Sequence, residues 1–148
     1  MYKNILIAID GSALATRALT HGLALAKSEG AACTVITVTE LWSAVEMSQQ
    51  VSVGTPDPIG AYEKMAAASA QTILDAASLL ATEAGVTVRT LHVPDKAPGE
   101  GIVATATQIG ADLIVMASHG RRGMKRLILG SKANEVLALA HVPVLIVR

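Results

Sequence analysis

The chain has 148 residues, 51% of them hydrophobic, and its 12 basic and 12 acidic side chains balance. That length suits one domain over residues 1–148, and the zero net charge argues against a general nucleic-acid binder, which carries a basic excess. No uncharged run approaches the ~18 apolar residues of a membrane span and the amino-terminal apolar run is short for a signal peptide, so a cytoplasmic protein without membrane insertion is expected.

Asn4 to Ile9 is nearly continuous Ile, Leu and Ala, the composition of a parallel strand covered on both faces. Asp10-Gly11-Ser12 ends it, with Ser12 a candidate N-cap for a helix from Ala13 to Glu29 that Gly30 stops. Ala15, Ala18, Leu19, Gly22, Leu25 and Ala26 share one face of that helix, which leaves Arg17, His21 and Lys27 toward solvent. Ala32 to Val38, rich in Val, Ile and Thr, reads as a second strand. The lone Cys33 within it suits core packing in a reducing compartment. Residues 39–58 are weakly periodic and end in two prolines, the pattern of a long loop or lid in which Trp42 and Met47 serve ordinary packing.

Ile59 to Ala84 reads as a long helix with Ile59, Tyr62, Ala66, Ile73, Ala76 and Leu80 as its apolar stripe. Gly85 ends it, and Val86 to Val93 makes a third strand. Pro94 and Pro98 bracket a loop, and a helix from about Glu100 to Gln108 leads through Gly110 to strand Leu113–Ala117. A last helix, about Lys132 to Ala140, passes through Pro143 into strand Val144–Val147. His92 and His141 lack matched ligands nearby, so no metal site is expected.

Strands alternating with helices argue for an α/β fold, an open parallel sheet with helices on both faces. If the first three strands step outward in one direction, right-handed crossovers return the fourth to the far side of the first. The five-stranded order is then 3-2-1-4-5. Ligands in such sheets bind at the carboxyl ends of the strands flanking the reversal, here Asp10 and Met116-Ala117. The last strand lies at an edge open to another strand, and a proline at Leu145 is expected to remove an outward donor.

Between Asp112 and Glu135 there is no acidic residue, whereas Arg121, Arg122, Lys125, Arg126 and Lys132 are basic. Gly120 and Gly123 let the chain turn, and Gly130-Ser131 opens the following helix with Ser131 as candidate N-cap. A basic loop running into a helix N-terminus suits a phosphate. The same glycines also serve a plain turn or a packing contact, and the basic residues a solvated face. No Walker A string occurs, and no dinucleotide fingerprint follows the first strand.

Ala117-x2-Gly120-x9-Gly130-Ser131 matches three of four positions of G-x2-G-x9-G-[S/T], the nucleotide motif of the universal stress protein family. With "KNILIAIDGS", "DLIVMASHGRRG", "LILGS" and "VPVLIVR", the whole chain resembles that family's ATP-binding branch, with Ala117 as the departure. The resemblance implies a Rossmann-like domain that binds ATP, ADP or AMP, with Mg2+ an optional companion. It implies Asp10 on a ribose hydroxyl, the Val38 backbone against adenine, and Ala8, Ile9 and Met116 lining an apolar slot. Gly120, Gly130, Ser131 and the Lys132 amide would hold phosphates, with Arg121 adding charge. It further implies a homodimer through the last strand, serving as a stress-response module toward a client protein. The family's other branch would make the chain a nucleotide-independent dimeric adaptor. Asp10, the one obvious carboxylate near the pocket, allows at most slow ATP hydrolysis.

Overall fold

The computed structural model describes residues 1–94, 96–120 and 129–148. Strands β1 (Asn4–Ala8), β2 (Ala32–Val38), β3 (Val88–Val93), β4 (Leu113–Ala117) and β5 (Val144–Val147) form one parallel sheet in the order β3-β2-β1-β4-β5. This is the order that the crossover rule predicts, with its reversal between β1 and β4. Helices α1 (Ala13–Glu29) and α3 (Pro58–Ala84) cover one face, and α4 (Pro98–Ile109) and α5 (Ser131–Leu139) cover the other. Helix α2 (Ala44–Ser52) packs on α3 at the margin. No helix among the described residues is long and apolar enough to cross a membrane.

The strand composition explains the two layers. Ile5 and Ile7 of β1 point into the α1/α3 cluster, while Leu6 and Ala8 point into the α4/α5 cluster. Ile5, Leu6 and Ile7 are fully buried, and each contributes about 1.5–3 kcal/mol by leaving water. Cys33 packs in the same core, where burial pushes its thiol up to about 11, so it behaves as a small apolar group. At the amino end of the sheet, Asp112 accepts the backbone N–H of Lys3 at 2.8 Å and of Asn4 at 3.0 Å. The Lys3 amide is the main cause holding this carboxyl below its ordinary range. Its contribution to stability is present at neutral pH and is lost as pH falls through the lowered value.

Four expectations change. Residues 39–58 are not one loop, because α2 forms inside them. Its start is a capping box, in which Ser43 Oγ accepts from the Glu46 amide and Glu46 accepts from the Ser43 amide. On α3 the sheet takes the face Ala70, Leu74, Ala77 and Ala81, one position round from the expected stripe. Ile59 and Ala76 are exposed there, and Tyr62, Ala66, Ile73 and Leu80 only partly covered. Small alanines let the helix lie close to the sheet, and alanine gives little sequence contrast between faces. On α1, Leu23 is buried where Leu25 was expected, while His21 faces solvent as its position predicts.

The fourth change concerns β5. The Ile114 amide donates to Pro143 O at 3.0 Å and the Ser118 amide to Val147 O at 2.8 Å. In a strand, backbone direction alternates from residue to residue, so Leu145, paired with Val115, also turns its amide inward to β4. Val144 and Ile146 carry the outward groups of this edge. Leu145 therefore cannot be the residue whose amide serves a second strand.

Candidate functional site

The crevice lies where the strand order reverses, at the carboxyl ends of β1 and β4. The Ile9 amide still donates to Ile36 O at 2.9 Å, so the chain leaves the sheet only at Asp10. Gly11 turns it at φ 81, a conformation that favours glycine. Asp10 Oδ1 accepts the Ser12 amide at 3.0 Å, and Ser12 Oγ in turn caps α1 by accepting the Ala15 amide at 3.1 Å. The carboxylate is thereby fixed at the strand end. Its Oδ2 faces Gly120, where an added Cβ would lie 2.7 Å from it.

Across the crevice, buried Ser118 follows β4, with its Oγ 3.0 Å from His119 Nδ1. The Ser118 carbonyl accepts the Gly130 amide at 2.9 Å, which docks the amino end of α5 on the end of β4. A Cβ on Gly130 would stand 2.8 Å from that same carbonyl oxygen and 3.4 Å from His119 Cα. The requirement for glycine here is space between two backbones, since its φ of −61 is ordinary for any residue.

Gly130, not Ser131, is the N-cap of α5. A glycine has no side chain to accept a first-turn amide, and α5 accordingly has no side-chain cap. Helices α1, α2 and α3 are capped by Ser12, Ser43 and Asp57, whereas α4, with Ala97 at its N-cap, shares the lack of a side-chain cap. Helix geometry leaves the first amides of α5, those of Ser131 and Lys132 included, without partners inside the helix and with a partial positive charge. The Ser131 hydroxyl sits beside them, exposed at the helix start.

Of the residues singled out in the sequence, Asp10 and Gly120 come into contact, and Gly130, Ser131 and Lys132 stand at the end of β4. Ala8 and Met116 are register partners on the α4/α5 face, with Val38 packed against the same cluster. Ile9 and Ala117 turn their side chains into the opposite, α1/α3 cluster. They can offer the α4/α5 side only backbone atoms. Ala117 is not among the residues with positive φ, so alanine is unstrained there. Arg121 lies outside the described residues, as do Arg122, Lys125 and Arg126.

Two features escaped the sequence reading. Lys132 Nζ pairs with Glu40 Oε1 at 3.4 Å, and the Glu40 carbonyl accepts from Tyr62 Oη at 3.0 Å. Beside them, Thr39 Oγ1 and His92 Nε2 share a hydrogen bond of 2.7 Å. No local pattern marks such pairs, because each joins elements far apart in the chain. A separate cavity of about 220 Å³ opens between α1 and α3, lined by Ile9, Leu19, Ile73 and Leu80 among others. None of its lining residues titrates, and its Thr16 and Thr72 hydroxyls already donate to their own helices. It offers no acid, base or charged anchor. Among the described residues no group of three or more His, Cys, Asp or Glu is placed to hold a metal.

The family model described as the universal stress protein family matches residues 1–148. Universal stress protein YxiE of Bacillus subtilis is 32% identical over 149 residues, covering 100% of each chain. The structure of MJ0577, from Methanocaldococcus jannaschii, superposes with a TM-score of 0.79 at 26% identity, covering 99% of this chain and 96% of that one. A universal stress protein solved in complex with cAMP superposes with a TM-score of 0.68, also at 26% identity, covering 99% and 97%.

Proposed function

The chain belongs to the universal stress protein family, and from that membership we propose that it is an adenine-nucleotide-binding regulatory module acting as a cytoplasmic homodimer. The observation that carries the nucleotide reading is the amino end of α5, which lacks a side-chain cap and is docked through Gly130 beside Asp10 and Gly120. Oriented amides at a helix start attract anions, and a carboxylate across the crevice suits a ribose hydroxyl. The relative solved with cAMP supports an adenine ligand. In this reading Asp10 accepts from the ribose, the Val38 backbone and the Ala8–Met116 surface receive the adenine, and Ile9 and Ala117 contribute backbone groups. Gly120, Gly130, Ser131 and the Lys132 amide hold the phosphates, with Arg121 as added charge and Mg2+ as an optional companion of ATP.

Occupancy rather than turnover is the proposed output. In this reading Asp10 is committed to the Ser12 amide and the ribose, and Asp112 sits at the opposite end of the sheet, bound to Lys3 and Asn4. Neither is set as a general base for an attacking water. Extraction of the purified protein, followed by identification of any released nucleotide and titration with ATP, AMP and adenosine, tests the reading. Failure to bind any of them would replace it with the nucleotide-independent dimeric adaptor.

Two substitutions test the assignment of residues. Ser131→Ala should weaken ATP by about 1–2 kcal/mol, through loss of a charge-assisted hydrogen bond, and adenosine much less. Because Ser131 is no cap, unfolding stability should change by less than about 0.5 kcal/mol. Equal losses for the two ligands would remove Ser131 from the phosphate site. Ala117→Gly should change ATP affinity by less than about tenfold, because the methyl lies in the α1/α3 core. Its effect should fall on stability instead, a loss of about 1 kcal/mol from a buried methyl and a freer strand.

A further inference from the structure

The ion pair between Glu40 and Lys132 spans the mouth of the crevice. Glu40 lies just beyond β2, Lys132 is the second residue of α5, and β1 runs between β2 and β4 in the sheet. The pair therefore reaches across the carboxyl end of β1, where Asp10 stands. The backbone that presents Glu40 is well held. Thr39 donates its amide to Val93 O at 3.0 Å and bonds His92, while Tyr62 donates to the Glu40 carbonyl. The side chains themselves are half-exposed, Lys132 at 50% and Glu40 at 58%, so the pair is screened and readily exchanged.

We propose that Glu40 is a specificity-determining residue that weights this site against highly charged nucleotides; the proposal rests on the nucleotide reading above. Lys132 has one near carboxylate in the described structure, and an arriving phosphate competes for its ammonium. When phosphate takes Lys132, Glu40 loses its partner and faces like charge. That opposition is absent for adenosine, small for AMP, and grows through ADP to ATP. A purely structural pair, one that only ties the β2–α2 connection to α5, would affect all four ligands alike.

The test is Glu40→Gln, titrated beside the parent with adenosine, AMP, ADP and ATP at low salt without divalent metal. The variant should bind ATP about three- to fivefold more tightly, AMP with a gain below about twofold, and adenosine unchanged. The gain for ATP should shrink at about 0.5 M salt, where exposed charges are screened. An unchanged melting temperature would confirm that the exposed substitution leaves the fold intact. If the parent binds nucleotide but the variant shows no change, or the same change for every ligand, the proposal fails while the nucleotide reading stands. If neither protein binds any of the four, the nucleotide reading fails and takes the proposal with it.

Discussion

Gly130→Val is expected to destabilise the protein by about 2–4 kcal/mol and to lower nucleotide affinity by more than about tenfold. The first Cβ alone would lie 2.8 Å from Ser118 O, the acceptor of the Gly130 amide. Its near neighbours include backbone atoms of Ser118 and His119, which cannot swing aside as a side-chain tip can. The amino end of α5 must therefore lift from β4, which costs the hydrogen bond and moves the amides proposed to hold phosphate. Gly120→Ala makes a useful contrast. Among the described residues its Cβ would meet the Asp10 carboxylate, a side-chain tip rather than backbone, so stability should fall less while ribose contact suffers. Urea unfolding and calorimetric titration of both variants separate the two effects. A Gly130→Val protein with parental stability would show that this close approach does not hold α5 in place.

Leu145→Pro and Ile146→Pro should differ sharply, although they are neighbours on the edge strand. The Leu145 amide faces β4, so proline there leaves a ladder acceptor unpaired and should cost about 2–4 kcal/mol of stability. Ile146 turns its amide to the open edge, a position at which sheets tolerate proline. That variant should keep its fold with a smaller loss, from trimming a partly buried side chain. If β5 pairs with its symmetry mate in the proposed homodimer, Ile146→Pro should sediment as a monomer at micromolar concentration. A dimer that survives Ile146→Pro would place the interface elsewhere.

Much of this architecture is determined by the sequence alone, through local physical signals. Continuous apolar runs such as Ile5–Ala8 and Leu113–Ala117 have to be strands covered on two sides, and Gly30, Gly85 and Gly110 stop helices through left-handed caps. With helices between the strands, crossover handedness then leaves one natural order, and the carboxyl ends at its reversal define the crevice. The spacing of Gly120, Gly130 and Ser131 adds the candidate phosphate end. Helix α2 was also legible, since Ser43 and Glu46 have capping-box spacing, but its weak apolar periodicity and the prolines after it masked the signal.

Only the tertiary structure decided the rest, and the reason is that each such feature depends on a partner distant in sequence. Whether Ala117 points at the crevice or at α1 follows from strand register, because a one-residue slip reverses every side chain. The same parity decides which β5 amides are open to another chain. Helix α3 offers the sheet two apolar faces, and the one buried is the face richer in alanine, Ala70, Leu74, Ala77 and Ala81. Gly130 is both cap and docking point because Ser118 lies against it, a fact that no window around residue 130 contains. Glu40 and Lys132 meet because β2 ends and α5 begins at the same end of the sheet, so their pairing exists only once the chain has folded.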